Sequence, residues 1–230
     1  MTLTLRGLIC AISMLLIVPV AVRADQAYDA TGPRYYGGSV GASPLDDVLG
    51  LGFTPNQDIW VTDLGWWDPA GQTPQGDATV GIANTTGTAL LAAPTTIDAS
   101  ATILGSGVDT FAWVPVATPI ELYANQTYLL EGFAPSSNGS TWRYDGLFNP
   151  TISGALTIQS APWLYGATGL PAQLTTGNGY PSLIFAGPNF KFTTTAPSSS
   201  PVPEPSTLSI FGGLAFMGVC FLARRRKDAR

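Results

Sequence analysis

Leu122-Tyr123-Ala124-Asn125-Gln126-Thr127-Tyr128-Leu129-Leu130 carries the pattern on which the fold is read. A Leu stands six residues before a Tyr that opens an apolar run, with Ala-Asn-Gln between them as turn chemistry. In β-sandwiches a Tyr so placed starts a core strand and turns its hydroxyl back onto the chain, pinning the corner between the sheets. The alternative is a buried aromatic on an ordinary strand. Either way Tyr128 and Leu130 face inward, because residues two apart on a strand share a side.

The segments on both sides agree. No window of eleven or more residues shows a helical apolar period, whereas short alternating or fully apolar runs recur between turn residues. Ile59-Trp60-Val61-Thr62 leads through Asp63 to Leu64-Gly65-Trp66-Trp67. Thr79 to Ala83 is followed by Asn84-Thr85-Thr86-Gly87 and Thr88 to Leu91, which predicts a hairpin with Gly87 at positive φ and Val80 and Ile82 in the core. Phe111 to Val116 predicts an edge strand or a bulge, since Pro115 cannot donate to a ladder. Later strands are expected at 140–144, 155–158, 162–165 and 182–185, with Asn138-Gly139, Asp145-Gly146 and Asn178-Gly179 as turns. Phe190 and Phe192 should share one face of a closing strand. The fold class is all-β, an antiparallel β-sandwich of jelly-roll or Ig-like type over residues 25–195.

Composition bounds the function. The chain has 230 residues, 11% of them charged, and a formal net charge of −5. Between Asp25 and Pro203 only Arg34, Arg143 and Lys191 oppose eleven Asp and two Glu, a balance of −10. No basic face is available for phosphates, so nucleic acid is not an expected partner. Histidine is absent, which removes His-ligated zinc, the Ser-His-Asp triad and the Cys-His pair. The two cysteines, Cys10 and Cys220, lie in the two terminal apolar runs, so the domain between them is not a disulfide scaffold.

Those runs are addresses. Met1 to Ala24 has an early Arg6, an apolar stretch from Gly7 to Val22, and Val22 and Ala24 before a cut between Ala24 and Asp25, the layout of a secretory signal peptide; a retained anchor helix is the alternative. At the other end Ala196-Pro197-Ser198-Ser199-Ser200-Pro201-Val202 is a stiff polar linker. Pro203-Glu204-Pro205-Ser206-Thr207 then precedes an uncharged run, Leu208 to Ala223, and Arg224-Arg225-Arg226-Lys227. As a helix that run spans roughly 24 Å, short of a ~30 Å hydrocarbon core but able to cross with snorkelling and local thinning. The basic cluster favours a cytoplasmic C-terminus, leaving the bulk of the chain outside.

Val-Pro-Glu-Pro-Ser-Thr, a short span and an Arg-rich terminus together resemble the PEP-CTERM sorting signal of Gram-negative bacteria. The resemblance implies that Pro203, Glu204 and Pro205 are recognised by an exosortase, a membrane transpeptidase, with Arg224, Arg225 and Arg226 as the basic stop. It also implies an inner-membrane intermediate held by a C-terminal transmembrane helix, released to the cell envelope or an extracellular, exopolysaccharide-bearing biofilm matrix. Leu51-Gly52-Phe53, Val61 to Gly65, the Gly87 hairpin, Leu122 to Tyr128 and Gly187 to Phe190 resemble uncharacterised β-sandwich ectodomains that precede the same tail.

For the domain itself no catalytic residue or cofactor is expected, and the protein reads as a non-enzymatic surface protein. Trp66-Trp67, Trp142 with Tyr144, and Trp163 with Tyr165 are candidates for a glycan platform, since rings two apart on a strand lie about 7 Å apart on one face. Adjacent Trp66 and Trp67 point to opposite faces, which predicts at least one outside the core. Core packing is the alternative for each ring. Asp46-Asp47, or Asp63 with Asp68, offer oxygens to calcium, but no ordered Asp-x-Asp-x-Asp-Gly loop is present. A hydrolase would pair carboxylates from Glu121, Glu131 and the Asp set. An ice-binding surface would need a regular Thr array, and only pairs such as Thr85-Thr86 and Thr95-Thr96 occur.

Overall fold

A computed structural model describes residues 24–31, 47–68, 78–107, 109–135, 145–172, 174 and 183–197. The chain forms two compact units, Met1–Thr195 and Ala196–Arg230. Among the described residues there is no helix, and every strand pair is antiparallel.

The first sheet runs in the order β1 (Asp25–Gln26), β13 (Pro188–Thr193), β3 (Ile59–Trp67), β7 (Asp109–Leu122), β6 (Thr102–Ser106). The second runs β10 (Leu156–Ser160), β2 (Asp47–Pro55), β8 (Tyr128–Ala134), β4 (Ala78–Ala83), β5 (Thr95–Ile97), with β11 (Trp163–Tyr165) also on β2. A two-stranded piece pairs β9 (Asp145–Phe148) with β12 (Leu183–Ala186).

The stretch from Leu122 to Leu130 passes from one sheet to the other. β7 ends at Leu122, β8 begins at Tyr128, and the Tyr123 N–H donates to the Tyr128 hydroxyl at 3.0 Å. The hydroxyl in turn donates to Gln126 Oε1 at 3.2 Å. Tyr128 and Leu130 are both buried. Asn125 takes φ 61, a left-handed value that asparagine tolerates in a tight turn.

Between the sheets lie Leu51, Phe53, Leu130, Val80 and Ile82 from one side and Ile59, Val61, Leu64, Trp66, Phe190 and Phe192 from the other, all at 1% exposure or less. Phe53 meets Phe190 across the gap with ring centroids 4.8 Å apart. Rings of this size each contribute roughly 1.5–3 kcal/mol by leaving water. Both outer faces are covered as well. On the first sheet Tyr28 sets its ring edge-on to Phe111 at 5.9 Å, and Phe111 tilts on Trp113 at 5.3 Å. On the second, Val48, Ala83 and Leu129 are buried beneath Ala167 and Leu174.

Three expectations need correction. Trp66 and Trp67 do face opposite ways, yet each is 1% exposed, because Trp67 shares the outer face with its cross-strand partner Phe111 and that face has its own apolar cover. The hairpin at Asn84–Gly87 is present, with Gly87 at φ 64, but its second arm reaches only one bridge, Ala83 to Leu90, and β5 takes the place beside β4. Asp145-Gly146 is strand, with Gly146 opposite Phe185, not a turn. Pro115 does sit at an irregularity: β3 pairs Val61 with Ile120 and Asp63 with Pro115, and β6 stops at Trp113, so the proline meets no ladder on its other side. The strand expected at 140–144 and the turns at Asn138-Gly139 and Asn178-Gly179 lie outside the described residues.

Candidate functional site

The outer face of the first sheet opens into a groove of about 830 Å³. Each strand supplies a side chain: Gln26 from β1, Lys191 from β13, Asp63 from β3, Trp113 from β7 and Leu104 from β6, with Asp25, Asp29, Asp109 and Ile152 also in the lining. Register brings them together, since Gln26 faces Lys191 and Lys191 faces Asp63. The Lys191 ammonium lies 4.4 Å from the centre of the Trp113 ring. Its proton affinity is lowered by partial burial, and the Asp63 carboxylate opposes that shift. Gly65 is required beneath this pair: a Cβ there would stand 2.4 Å from Trp113 Cε3.

Part of the acid in the groove is structural. Asp29 Oδ1 accepts from the Thr31 hydroxyl at 2.9 Å and the Thr151 N–H at 3.2 Å, fastening 151 to the N-terminal segment. Asp109 Oδ1 accepts the Ala30 N–H at 2.7 Å. Asp63 Oδ2 accepts from Thr62 at 2.7 Å. What faces solvent is an acidic surface with one ammonium and an exposed Leu104, 48% accessible.

The sequence candidates are scattered. Trp66 and Trp67 are core and offer no ring to a ligand. Trp163 is half-buried, edge-on to Phe185 at 5.6 Å, while Tyr165 follows on β11. Trp142 and Tyr144 lie outside the described residues, as do Pro203, Glu204, Pro205, Arg224, Arg225 and Arg226. Asp25, next to Ala24 and the expected signal cut, is the first residue of β1, opposite Phe192. Glu121 is exposed on β7 in the first sheet, where the Tyr123 hydroxyl donates to it at 3.3 Å, whereas Glu131 is buried on β8 in the second. Asp46 is outside the described residues, and among those described no group of three or more His, Cys, Asp or Glu is gathered for a metal.

Tyr28 was missed. It ties the N-terminal segment to the closing strand: its hydroxyl donates to Pro188 O at 2.8 Å and accepts from Gly187 N–H at 3.3 Å, and Asn189 Nδ2 donates to its carbonyl at 2.9 Å. Burial holds this phenol far above its ordinary pKa, so it stays protonated. Glu131 was read only as one half of a possible hydrolase pair, and no local pattern marks its buried setting, since its neighbours come from strands far away in the chain.

At the C-terminus the comparison with known families is decisive. Residues 201–227 match the PEP-CTERM protein-sorting motif. The motif begins six residues after Thr195, where the β-rich unit ends, and it points to an exported protein sorted by an exosortase through a C-terminally anchored intermediate. No curated protein matches the chain.

Proposed function

We propose that the protein is a non-enzymatic component of the cell surface or biofilm matrix, exported by its signal peptide, processed by an exosortase at Pro203-Glu204-Pro205, and in contact with exopolysaccharide. The observation that carries this reading is the sorting motif at 201–227, which begins six residues after the β-rich unit ends. Contact with polysaccharide is supported by the groove on the first sheet, whose Asp, Lys and Thr side chains suit hydroxyl partners.

The test is Glu204→Ala in a host that has the exosortase. The expected outcome is an uncleaved species that stays in the membrane fraction, while the wild-type chain matures and is recovered with the host's own matrix. Equal maturation of the two chains refutes the processing site. A matured wild-type chain that washes free of the matrix polysaccharide refutes the contact and leaves the sorting intact.

A further inference from the structure

Glu131 is the only charged member of the buried set among the described residues, with no exposed surface. It stands mid-strand on β8, on the outer face of the second sheet. Its register partners on both sides are glycines, Gly50 on β2 and Gly81 on β4. The space those glycines leave is filled from above: a Cβ at Gly50 would meet Leu174 Cδ1 at 2.5 Å, and one at Gly81 would meet Leu90 Cδ2 at 3.0 Å. The carboxylate thus occupies a slot between the sheet and the segment formed by residues 166–172 and Leu174. Its Oε2 accepts the Ala172 N–H at 3.0 Å. Its Oε1 is buried, with the Leu174 amide nearby but outside hydrogen-bond geometry.

We propose that Glu131 is a protonation-controlled clamp that fastens residues 166–172 and Leu174 to the outer face of the second sheet, holding them more tightly as the neutral acid than as the carboxylate. As a carboxylate it places a full charge in an apolar layer with one oxygen unsatisfied, which is costly. As an acid it keeps an oxygen for the Ala172 N–H and acquires an O–H donor on the other. The Leu174 backbone and Glu131 Oε1 both border the space beside Gly87, where a Cβ would lie 2.6 Å from the Leu174 carbonyl oxygen and 3.2 Å from Oε1. The residues facing the carboxyl are Gly50 from β2, Gly81 from β4, Gly87 from the 84–87 turn, and Ala172 and Leu174 from the segment itself; none of them titrates.

Burial raises the Glu131 pKa above the usual carboxylate range, and the Ala172 and Leu174 amides offset part of that rise. With the folded value above the unfolded one, the folded chain holds this proton more firmly. The clamp's contribution is complete below the unfolded pKa and is lost as pH rises through the folded one.

The experiment is amide hydrogen exchange on the full chain in detergent, from about pH 4 to 8 to bracket the shifted carboxyl, with rates normalised to intrinsic exchange. Protection at Ala172 and Leu174 should fall relative to β3 as pH rises, by about tenfold for each unit between the two pKa values. Glu131→Gln, a neutral isostere, should hold those amides at high protection with no such fall. A flat wild-type profile, or the same fall in Glu131→Gln, overturns the proposal. Failure of Glu131→Gln to fold also counts against it, since the neutral side chain imitates the form proposed to clamp best.

Discussion

Tyr128 shows what one side chain does here and what local sequence reveals. Its hydroxyl takes the Tyr123 N–H at the point where the chain leaves one sheet for the other, so Tyr128→Phe leaves that donor without its partner inside the corner. The expected loss is about 1–3 kcal/mol, which for a domain of this size lowers the melting temperature by roughly 2–4 °C per kcal/mol. Urea denaturation of the two proteins checks it, and equal midpoints would mean the bond contributes nothing. This residue was legible because the six-residue spacing from Leu122 and the turn between them are local. Glu131 was not, since the two glycines that make room for it are separated from it by 81 and 50 positions in the chain and meet it only through sheet register. For Trp66 and Trp67 the alternation was read correctly, but the outer face that Trp67 shares with Phe111 has an apolar cover that includes Tyr28, which sits in an unremarkable polar context.

At the scale of the element, close approach of the two sheets is set by small residues. Gly132 on β8 is the plainest case: a Cβ there would lie 2.6 Å from Pro188 Cβ and 2.7 Å from Trp66 Cζ3, between a proline of β13 and the indole of β3. Neither neighbour can swing aside, so Gly132→Ala should cost about 1–3 kcal/mol as an overpacked core. Gly154, with nothing within 4 Å of its Cβ position, is the control, and Gly154→Ala should stay within about 0.5 kcal/mol. Similar stability of the two variants would show that the sheets separate more easily than the contacts imply. Strands with their own alternating signal, β3, β4 and β13, were readable in the sequence. Of the short ones, β11 and β12 were read, whereas β5 and β6, of three and five residues, were not, and β9 starts on an Asp-Gly pair that reads as a turn until β12 is found beside it.

On the scale of the whole molecule, three apolar layers share two sheets, and the N-terminal segment closes one of them. Asp25 and Gln26 add to the edge of β13, Ala27 N–H bonds Phe190 O at 3.0 Å, and Tyr28 caps Phe111 while its hydroxyl binds the turn into β13. The segment that follows the expected signal cut is therefore a structural part of the fold. Residues 25–30 hold a fully buried tyrosine and two fully buried alanines. Losing that tyrosine alone compares with a Phe-to-Ala truncation, about 3–5 kcal/mol, against a net stability of about 5–15 kcal/mol for a domain. Two ectodomains ending at Thr195 separate this from mere tethering, one beginning at Asp25 and the other at Thr31. The first should show a single cooperative urea transition; the second should have a midpoint lowered by most of the domain's stability, or no transition. Matching midpoints would make residues 25–30 a passive leader and leave Phe111 and Trp113 to be covered by some other part of the chain.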